Sequence, residues 1–330
     1  MTTEPRNGGR RGPGDDSWRL FRGDGSSHET PFPEAPPWRK FAPEEPGDGR
    51  RGTHPMPYLI SRDEADIVNA ALHLRRPLLV TGHPGTGKSS LAHAIAHELA
   101  LGRVLRWPVN SRSTLQDGLY QYDAVGRLRE ANLRRDATSP EPGIGQYVRL
   151  GPLGNALVPR ERPRVLLVDE LDKGDVDLPN DLLTVFEEGE FSIPELTRLS
   201  EDRTPVLVQT DDPDAPTPVL RGRLRCREFP VVVITSNGER DFPPAFLRRC
   251  VRLDIPEPDE NRLREIVAAH LGGDALEGVD DLLESFLNRR AAGELATDQL
   301  LNAVFLRKGG VELDAKALLD AVLHELGGAV

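Results

Sequence analysis

A glycine-rich turn between an apolar run at residues 78–80 and a helical pattern at residues 89–101 constrains the fold of this chain most. A strand, a glycine loop of the pattern G-x-x-x-x-G-K-S and a helix, in this order, form a phosphate-binding loop. Backbone N–H groups of such a loop point at nucleotide phosphates, with the helix dipole behind them. The residues that we predict to bind a nucleotide here are Gly82, His83, Pro84, Gly85, Thr86, Gly87, Lys88, Ser89 and Ser90.

Four side chains in and beyond this loop have predicted roles in binding and hydrolysis. Lys88 places a positive charge at the β- and γ-phosphates, and the hydroxyl of Ser89 is a ligand of Mg²⁺. A second apolar run, at residues 165–168, ends in Asp169 and Glu170. Adjacent residues at a strand end point in different directions. We therefore predict that Asp169 binds the metal with its water shell and that Glu170 polarises the attacking water.

A third apolar run, at residues 231–234, leads through Thr-Ser to Asn237. An amide both donates and accepts hydrogen bonds, so we predict that Asn237 orients the water beside the γ-phosphate. Arg248 and Arg249 follow this residue along the chain. One of them is a candidate arginine finger that enters the nucleotide site of a neighbouring subunit, and we favour Arg249.

The apolar runs and the composition predict the fold class and three parts of the chain. Continuous apolar runs are typical of a parallel sheet covered by helices on both faces, which predicts an α/β body at residues 56–256. Residues 1–55 contain nine prolines and nine glycines, too little apolar surface to offset the entropy of ordering, so we predict a disordered tail. The pattern after residue 257 predicts an all-helical lid, 257–330.

Local signals add detail to this division. A capping box at Ser61–Glu64 predicts a helix that ends before Pro77. Residues 200–222 are polar and rich in Pro and Asp, which predicts a hairpin or a loop insertion. Helical patterns in the lid cover residues 259–271, 279–290, 297–307 and 314–326.

The tail contains a repeated aromatic and basic pattern. Trp18-Arg-Leu-Phe21 recurs twenty residues later as Trp38-Arg-Lys-Phe41. Two interpretations stay open. Either the aromatic side chains occur by chance in a tail or belong to a strap that packs on the body, or the repeats are docking motifs for a partner or a neighbouring subunit, since Trp and Arg anchor interfaces.

Composition excludes several classes of protein. The chain has 330 residues and a net charge of −11, which disfavours nucleic acid as a partner. No apolar run approaches the ~18 residues that span a bilayer, and the first residues contain no apolar signal segment, so we expect a cytoplasmic protein without membrane contact. Two cysteines, Cys226 and Cys250, exclude a disulfide framework and a four-cysteine zinc site.

Taken together, these motifs resemble the AAA+ ATPases, and within them the MoxR-like branch. The order of phosphate-binding loop, Asp-Glu, strand with Thr-Ser-Asn, and Pro-Pro-Ala-Phe-Leu-Arg-Arg carries the resemblance, which covers roughly residues 58–330. Three further segments are similar to that branch: Leu150-Gly-Pro-Leu-Gly154, Asp169-Glu-Leu-Asp-Lys173 and Glu187-Glu-Gly-Glu-Phe-Ser-Ile-Pro194.

The resemblance implies a hexameric ring with ATP and Mg²⁺ bound between subunits, and an insert around residues 111–150. It also implies a chaperone-like remodeller of a protein client or a von Willebrand A-type partner, with some members in bacterial conflict or defence systems. The chain departs from the family where a sensor-2 arginine is expected, because residues 296–300 contain none. Either Arg289 or Arg290 from the preceding helix replaces it, or the coupling between lid and nucleotide is weakened.

Other functions stay open at this stage. The missing sensor-2 arginine favours a slow, nucleotide-dependent assembly switch that signals to an effector, whereas Asp169, Glu170 and Asn237 favour turnover. A McrB-like NTPase acting with nucleic acid is disfavoured by the acidic charge and by the lack of a basic, aromatic-rich patch. A small-molecule kinase would leave Asn237 and the arginine pair without a role. Asp172 and Lys173 could form a subunit contact, but we favour their interpretation as a solvated charge pair.

Overall fold

The computed structural model describes residues 20, 29, 32–39, 58–133, 143–199, 205–211, 215–290, 295–310 and 322. These residues belong to two compact units. One lies within residues 44–258, and the other comprises the described residues of the ranges 1–43 and 259–330. None of the described helices is both long and apolar enough to cross a bilayer.

The elements of the larger unit alternate between helices and short strands. Its helices are α1 (Arg62–Leu74), α2 (Lys88–Glu98), α3 (Leu115–Leu119), α4 (Ala124–Leu133), α5 (Pro152–Ala156), α6 (Leu178–Glu188), α7 (Pro194–Thr197) and α8 (Pro244–Leu247). Its strands are β1 (Leu78–Thr81), β2 (Leu105–Pro108), β3 (Tyr120–Tyr122), β4 (Val148–Leu150), β5 (Val165–Asp169), β6 (Glu190–Ser192), β7 (Val206–Val208), β8 (Thr217–Val219), β9 (Arg223–Arg225), β10 (Val231–Ser236) and β11 (Val251–Asp254).

Five of these strands form a parallel sheet in the order β11-β1-β10-β5-β2. Its three central strands are the continuous apolar runs of the sequence, and β5 is buried along its whole length. The predicted parallel sheet with flanking helices is therefore confirmed. The two edge strands were not predicted, because β2 and β11 alternate polar and apolar residues instead of forming continuous runs.

Alternate residues of the central strands feed two hydrophobic clusters, one on each face of the sheet. Leu79 and Leu166 pack in one cluster with side chains of α5, α6 and α8. Leu78 and Val165 pack in the other with side chains of α1 and α2. Because both faces of these strands are buried, polar and apolar residues do not alternate along them.

Outside the parallel sheet, the described residues form three antiparallel strand pairs. Strands β3 and β4 pair across the segment that contains α4, within the range where an insert was expected. Strands β7 and β8 pair as well, so the predicted hairpin within residues 200–222 is confirmed for its described residues. Strands β6 and β9 form the third pair.

The predicted start of the first helix is also confirmed. The hydroxyl of Ser61 accepts from the backbone N–H of Glu64, and the Glu64 carboxylate accepts from the N–H of Ser61. The helix ends at Leu74, and its C-cap residue Arg75 adopts a left-handed conformation two residues before Pro77. This exit leads the chain directly into β1.

The smaller unit contains α9 (Glu260–Leu271), α10 (Asp280–Arg290) and α11 (Thr297–Lys308), as the helical patterns predict. The fourth predicted helix, 314–326, lies outside the described residues except for Val322. Trp38, from the segment predicted to be disordered, packs against the hydrophobic cluster of these helices and meets the ring of Phe305 edge-on, with 5.9 Å between the ring centroids. Trp18, the tryptophan of the first repeat, lies outside the described residues.

Candidate nucleotide-binding site

The carboxyl ends of four parallel strands meet at one edge of the sheet. Thr81 at the end of β1 is in register with Ser236 at the end of β10, and Pro108 at the end of β2 is in register with Asp169 at the end of β5. In open α/β sheets, ligands bind in the crevice beyond these strand ends. The topology thus brings together motifs that lie up to 150 residues apart along the chain.

The loop after β1 owes its shape to glycine. Gly82, Gly85 and Gly87 have φ angles of +145°, +77° and +86°, which side chains rarely adopt. At Gly82 a Cβ atom would lie 2.5 Å from the carbonyl oxygen of Ile255, so the close approach of two backbone segments also requires glycine. Gly87 caps the start of α2, whose free N–H groups face the crevice.

Lys88 is buried and donates to two carbonyl groups of the loop itself. Its Nζ lies 2.7 Å from the oxygen of Gly82 and 2.7 Å from that of His83. Burial lowers the pKa of Lys88, while the charges of Asp172, Glu170 and Asp169 act in the opposite direction. The ammonium group therefore lies inside the curve of the loop. The phosphate oxygens of a bound nucleotide would replace the water that burial removes from this group.

Asp169 is the centre of a hydrogen-bond network. Its Oδ1 accepts from the hydroxyl of Ser89 at 2.7 Å and from that of Thr235 at 2.8 Å. Its Oδ2 accepts from Nε and Nη2 of Arg106, at 3.1 and 2.6 Å. Burial raises the pKa of Asp169, but the bonds from Ser89, Arg106 and Thr235 outweigh it and lower the pKa overall, so the side chain is a carboxylate at neutral pH.

These oxygen atoms fit a magnesium ion. Mg²⁺ prefers oxygen ligands and is usually held by one or two protein groups together with phosphates and water. The Ser89 hydroxyl and the Asp169 carboxylate lie side by side where the glycine loop begins its helix. The two predicted metal ligands are thus brought together by the fold.

Glu170 lies next to this network in an unusual backbone conformation. Its φ of +60° is left-handed, and its N–H donates to the hydroxyl of Thr235 at 2.8 Å. The same hydroxyl donates to Asp169, so Thr235 ties the two acidic residues to β10. The Glu170 carboxylate pairs with Nζ of Lys173 at 2.9 Å, and this pair is partly exposed.

Asp172 is not a solvated residue, so its interpretation as part of an exposed charge pair is wrong. It is 3% exposed, and its Oδ2 accepts from the backbone N–H groups of Asn237 at 2.9 Å and Glu239 at 3.1 Å. Its other oxygen, Oδ1, is buried without a hydrogen-bond partner among the described residues. Asp172 therefore fixes the loop that presents Asn237, next to the strand end that presents Glu170.

The remaining predicted residues occupy different places. In the loop, the Thr86 hydroxyl donates to the His83 carbonyl at 2.9 Å, and the His83 ring lies 3.6 Å from the Glu257 carboxylate. Pro84 lies within the same turn, and Ser90 follows Ser89 in α2. These side chains shape the loop or face outward.

The two arginines lie at the end of α8. Arg249 pairs with the carboxylate of Glu187 and donates to the carbonyl of Ala245 at 3.1 Å. Arg248 donates from Nε to the Pro244 carbonyl at 3.2 Å. Among the contacts of the described residues, neither arginine pairs with the phosphate-binding loop or with the end of β5.

Two residues of this site were missed from the sequence. Arg106 lies on edge strand β2, where its only signal is the alternation of buried Leu105 and Trp107 with exposed neighbours. Asp172 carried no signal of burial, because it lies among charged residues. The candidate replacements for a sensor-2 arginine end α10, where the Arg290 guanidinium lies over the Phe286 ring; their role stays a prediction.

The sequence model of the family described as AAA domain (dynein-related subfamily) matches residues 77–250, more than half of the chain. The match contains the phosphate-binding loop, both acidic residues at the end of β5, Asn237 and both arginines. None of the curated proteins matches the chain.

Proposed function

Since this chain belongs to the AAA domain family, in its dynein-related subfamily, and is therefore a nucleotide-dependent ATPase, we propose that it hydrolyses Mg·ATP between the subunits of a ring and uses the energy to remodel a protein partner. One observation supports hydrolysis most directly. The Ser89 hydroxyl bonds to the Asp169 carboxylate at 2.7 Å, so the nucleotide loop and the acidic strand end form one site.

Each residue of the site has a distinct task in this mechanism. The loop N–H groups and Lys88 bind the phosphates and hold the γ-phosphate in place. A magnesium ion held by Ser89 and Asp169 would neutralise charge that develops on the phosphates. Glu170 accepts a proton from the attacking water, and Asn237, fixed by Asp172, orients that water. Catalysis of this kind depends on positioning and electrostatics more than on covalent chemistry.

The ring and the partner are the finer parts of the proposal. The resemblance to MoxR-like proteins, carried by residues 150–154, 169–173 and 187–194, supports a hexamer and a protein client, such as a von Willebrand A-type partner. Arg249 supports nucleotide sites between subunits, since it is 44% exposed and its contacts lie away from the loop.

Two variants test the enzymatic part. Lys88→Ala should weaken ATP binding by roughly 100-fold, because a charged partner of the phosphates contributes about 2–3 kcal/mol. Glu170→Gln should still bind ATP but release phosphate roughly 100- to 10,000-fold more slowly, since it loses the proton acceptor. Fluorescent ATP binding and phosphate release measure the two effects.

Matched controls for these variants are Lys308→Ala, in the helical unit, and Glu161→Gln, on an exposed surface. Both should bind and hydrolyse ATP as the unchanged chain does. Undiminished ATP binding by Lys88→Ala would contradict the assignment of the loop. Normal turnover by Glu170→Gln would remove Glu170 as the proton acceptor.

A slow assembly switch is the second candidate, and the ion pair between Glu170 and Lys173 favours it. Lys173 already donates to an oxygen of the Glu170 carboxylate at 2.9 Å. This oxygen is therefore less available to the attacking water, which would slow hydrolysis in the isolated subunit. Phosphate release that stays slow after nucleotide-driven assembly would favour the switch over the remodeller.

A further inference from the structure

Arg106 is an exposed residue that makes a two-pronged ion pair with a buried carboxylate. The Arg106 side chain is 62% exposed, whereas that of Asp169 is 7% exposed. Nε and Nη2 of the guanidinium both donate to Oδ2, at 3.1 and 2.6 Å. A guanidinium group stays charged at every physiological pH, so it brings a permanent positive charge to this carboxylate.

The position of Arg106 is the unusual feature. The neighbouring oxygen of the same carboxylate bonds to Ser89 and Thr235, the side of Asp169 that faces the phosphate-binding loop. Asp169 and Ser89 are the two residues that fit a magnesium ion. One oxygen of the Asp169 carboxylate is therefore already bound to the Arg106 cation. Mg²⁺ would need the same carboxylate.

We propose that Arg106 is a built-in counter-ion of Asp169. Arg106 substitutes for the metal ion while a nucleotide is bound without metal. This inference rests on the proposed function of the site. Without metal, the negative charge of Asp169 would repel the nucleotide phosphates, and Arg106 cancels that charge. When the metal binds, it takes over the neutralisation, and the exposed Arg106 side chain is free to turn towards solvent.

Arg106 thus reduces the factor by which Mg²⁺ increases the affinity for the nucleotide. The relevant quantity is the ratio of two dissociation constants for ADP, one measured in EDTA and one at saturating Mg²⁺. A charge pair with one exposed member is worth up to ~1 kcal/mol, which corresponds to about a fivefold change. A residue that only stabilised the sheet edge, or only attracted phosphates, would not change this ratio.

The test is the affinity of fluorescently labelled ADP for the full chain, with Arg106 unchanged or replaced in Arg106→Gln. In EDTA, ADP should bind the variant about fivefold more weakly. At saturating Mg²⁺ the two proteins should bind ADP equally well. Arg106→Lys keeps the charge and should restore the unchanged ratio, and Arg103→Gln, three residues earlier on the same segment and paired with Asp211, should have no effect.

Several results would overturn the proposal. Equal weakening in EDTA and in Mg²⁺ would make Arg106 a simple phosphate contact, and no change in either would make it a structural ion pair. A ratio in Arg106→Lys that matches Arg106→Gln would show that charge is not the cause. If the unchanged chain bound no ADP at all, the proposed function itself would fail; a Mg²⁺-dependent affinity that Arg106→Gln leaves unaltered would refute only this inference.

Discussion

At the scale of single residues, Asp172 links the segment after β5 to the loop after β10, the two halves of the proposed site. Its buried carboxylate accepts from the N–H groups of Asn237 and Glu239, on the loop after β10, while Asp172 itself follows Glu170 by two residues. A charged acceptor with two backbone donors is a strong and directional link. Asp172 is therefore a positioning residue for Asn237.

Loss of this link should affect the chemical step more than binding. Asp172→Ala should lower kcat about tenfold, because small displacements of a water-orienting group are costly, while KM for ATP changes less than about twofold. Asp172→Asn keeps an oxygen acceptor and should retain most of kcat. Steady-state phosphate release measures both constants.

Asp175→Ala is the matched control for this prediction. Asp175 lies on the same loop and is exposed, and its side chain accepts only from the backbone N–H of Asp177 among the described residues. It should leave kcat unchanged. Equal losses in Asp172→Ala and Asp172→Asn, or a rise of KM alone, would show that the residue does not act through Asn237.

The sequence indicated the positions of residues that follow a recognisable strand and missed residues whose position depends on tertiary contacts. The glycine loop, Asp169, Glu170 and Asn237 each follow an apolar strand, so the strand itself indicates where they lie. Arg106 and Asp172 find their partners 63 and 65 residues away along the chain. No pattern within one segment reports such a pairing.

At the scale of elements, the same contrast separates central from edge strands. A strand with neighbours on both sides and helices on both faces buries every residue, and its continuous apolar run is visible in the sequence. An edge strand keeps one face partly open, as in Leu105–Pro108, where residues are buried and exposed in turn. Four alternating residues also occur in loops, so pattern alone does not identify such a strand.

The segment around Trp38 is an element that composition alone did not reveal. Nine prolines and nine glycines in residues 1–55 predicted disorder, yet Trp38 is partly buried against the helical unit and meets Phe305 edge-on. For this tryptophan the structure shows packing, but on the helical unit and not on the α/β body that the strap interpretation named.

Removal of the Trp38 ring should therefore loosen the helical unit. Trp38→Ala should destabilise α11 by about 1–2 kcal/mol, since it deletes an aromatic pair and the apolar area that the ring covers. Amide hydrogen exchange within residues 297–308 measures this effect locally. Phe32→Ala, in the same segment but 87% exposed, should leave exchange unchanged. Unaltered protection of α11 in Trp38→Ala would show that the tryptophan does not stabilise the helices.

At the scale of the whole molecule, the family match covers one unit and the activity proposed here needs more than one chain. The proposed site would combine a phosphate-binding lysine, metal ligands, a proton acceptor and a water-orienting amide, all in residues 82–237. An arginine that stabilises the transferred phosphoryl group is the missing part. Arg249 is partly exposed, and its partner Glu187 is partly exposed as well, so this surface pair contributes at most ~1 kcal/mol and is readily exchanged for another partner.

If Arg249 acts on the neighbouring subunit, two variants that are each inactive should complement each other in a mixed ring. Arg249→Ala and Lys88→Ala should each be inactive, but a mixture should regain activity, because the Lys88→Ala subunit supplies its own Arg249 to the intact loop of its neighbour. With random assembly in equal amounts, roughly one interface in four combines an intact loop with an intact arginine in a head-to-tail ring. Phosphate release should then approach roughly a quarter of the unchanged rate.

Light scattering of the Glu170→Gln protein with Mg·ATP shows whether rings form. The same mixture with Arg248→Ala tests the other arginine. If Arg249→Ala never regains activity in rings that do mix, while Arg248→Ala does, the finger is Arg248.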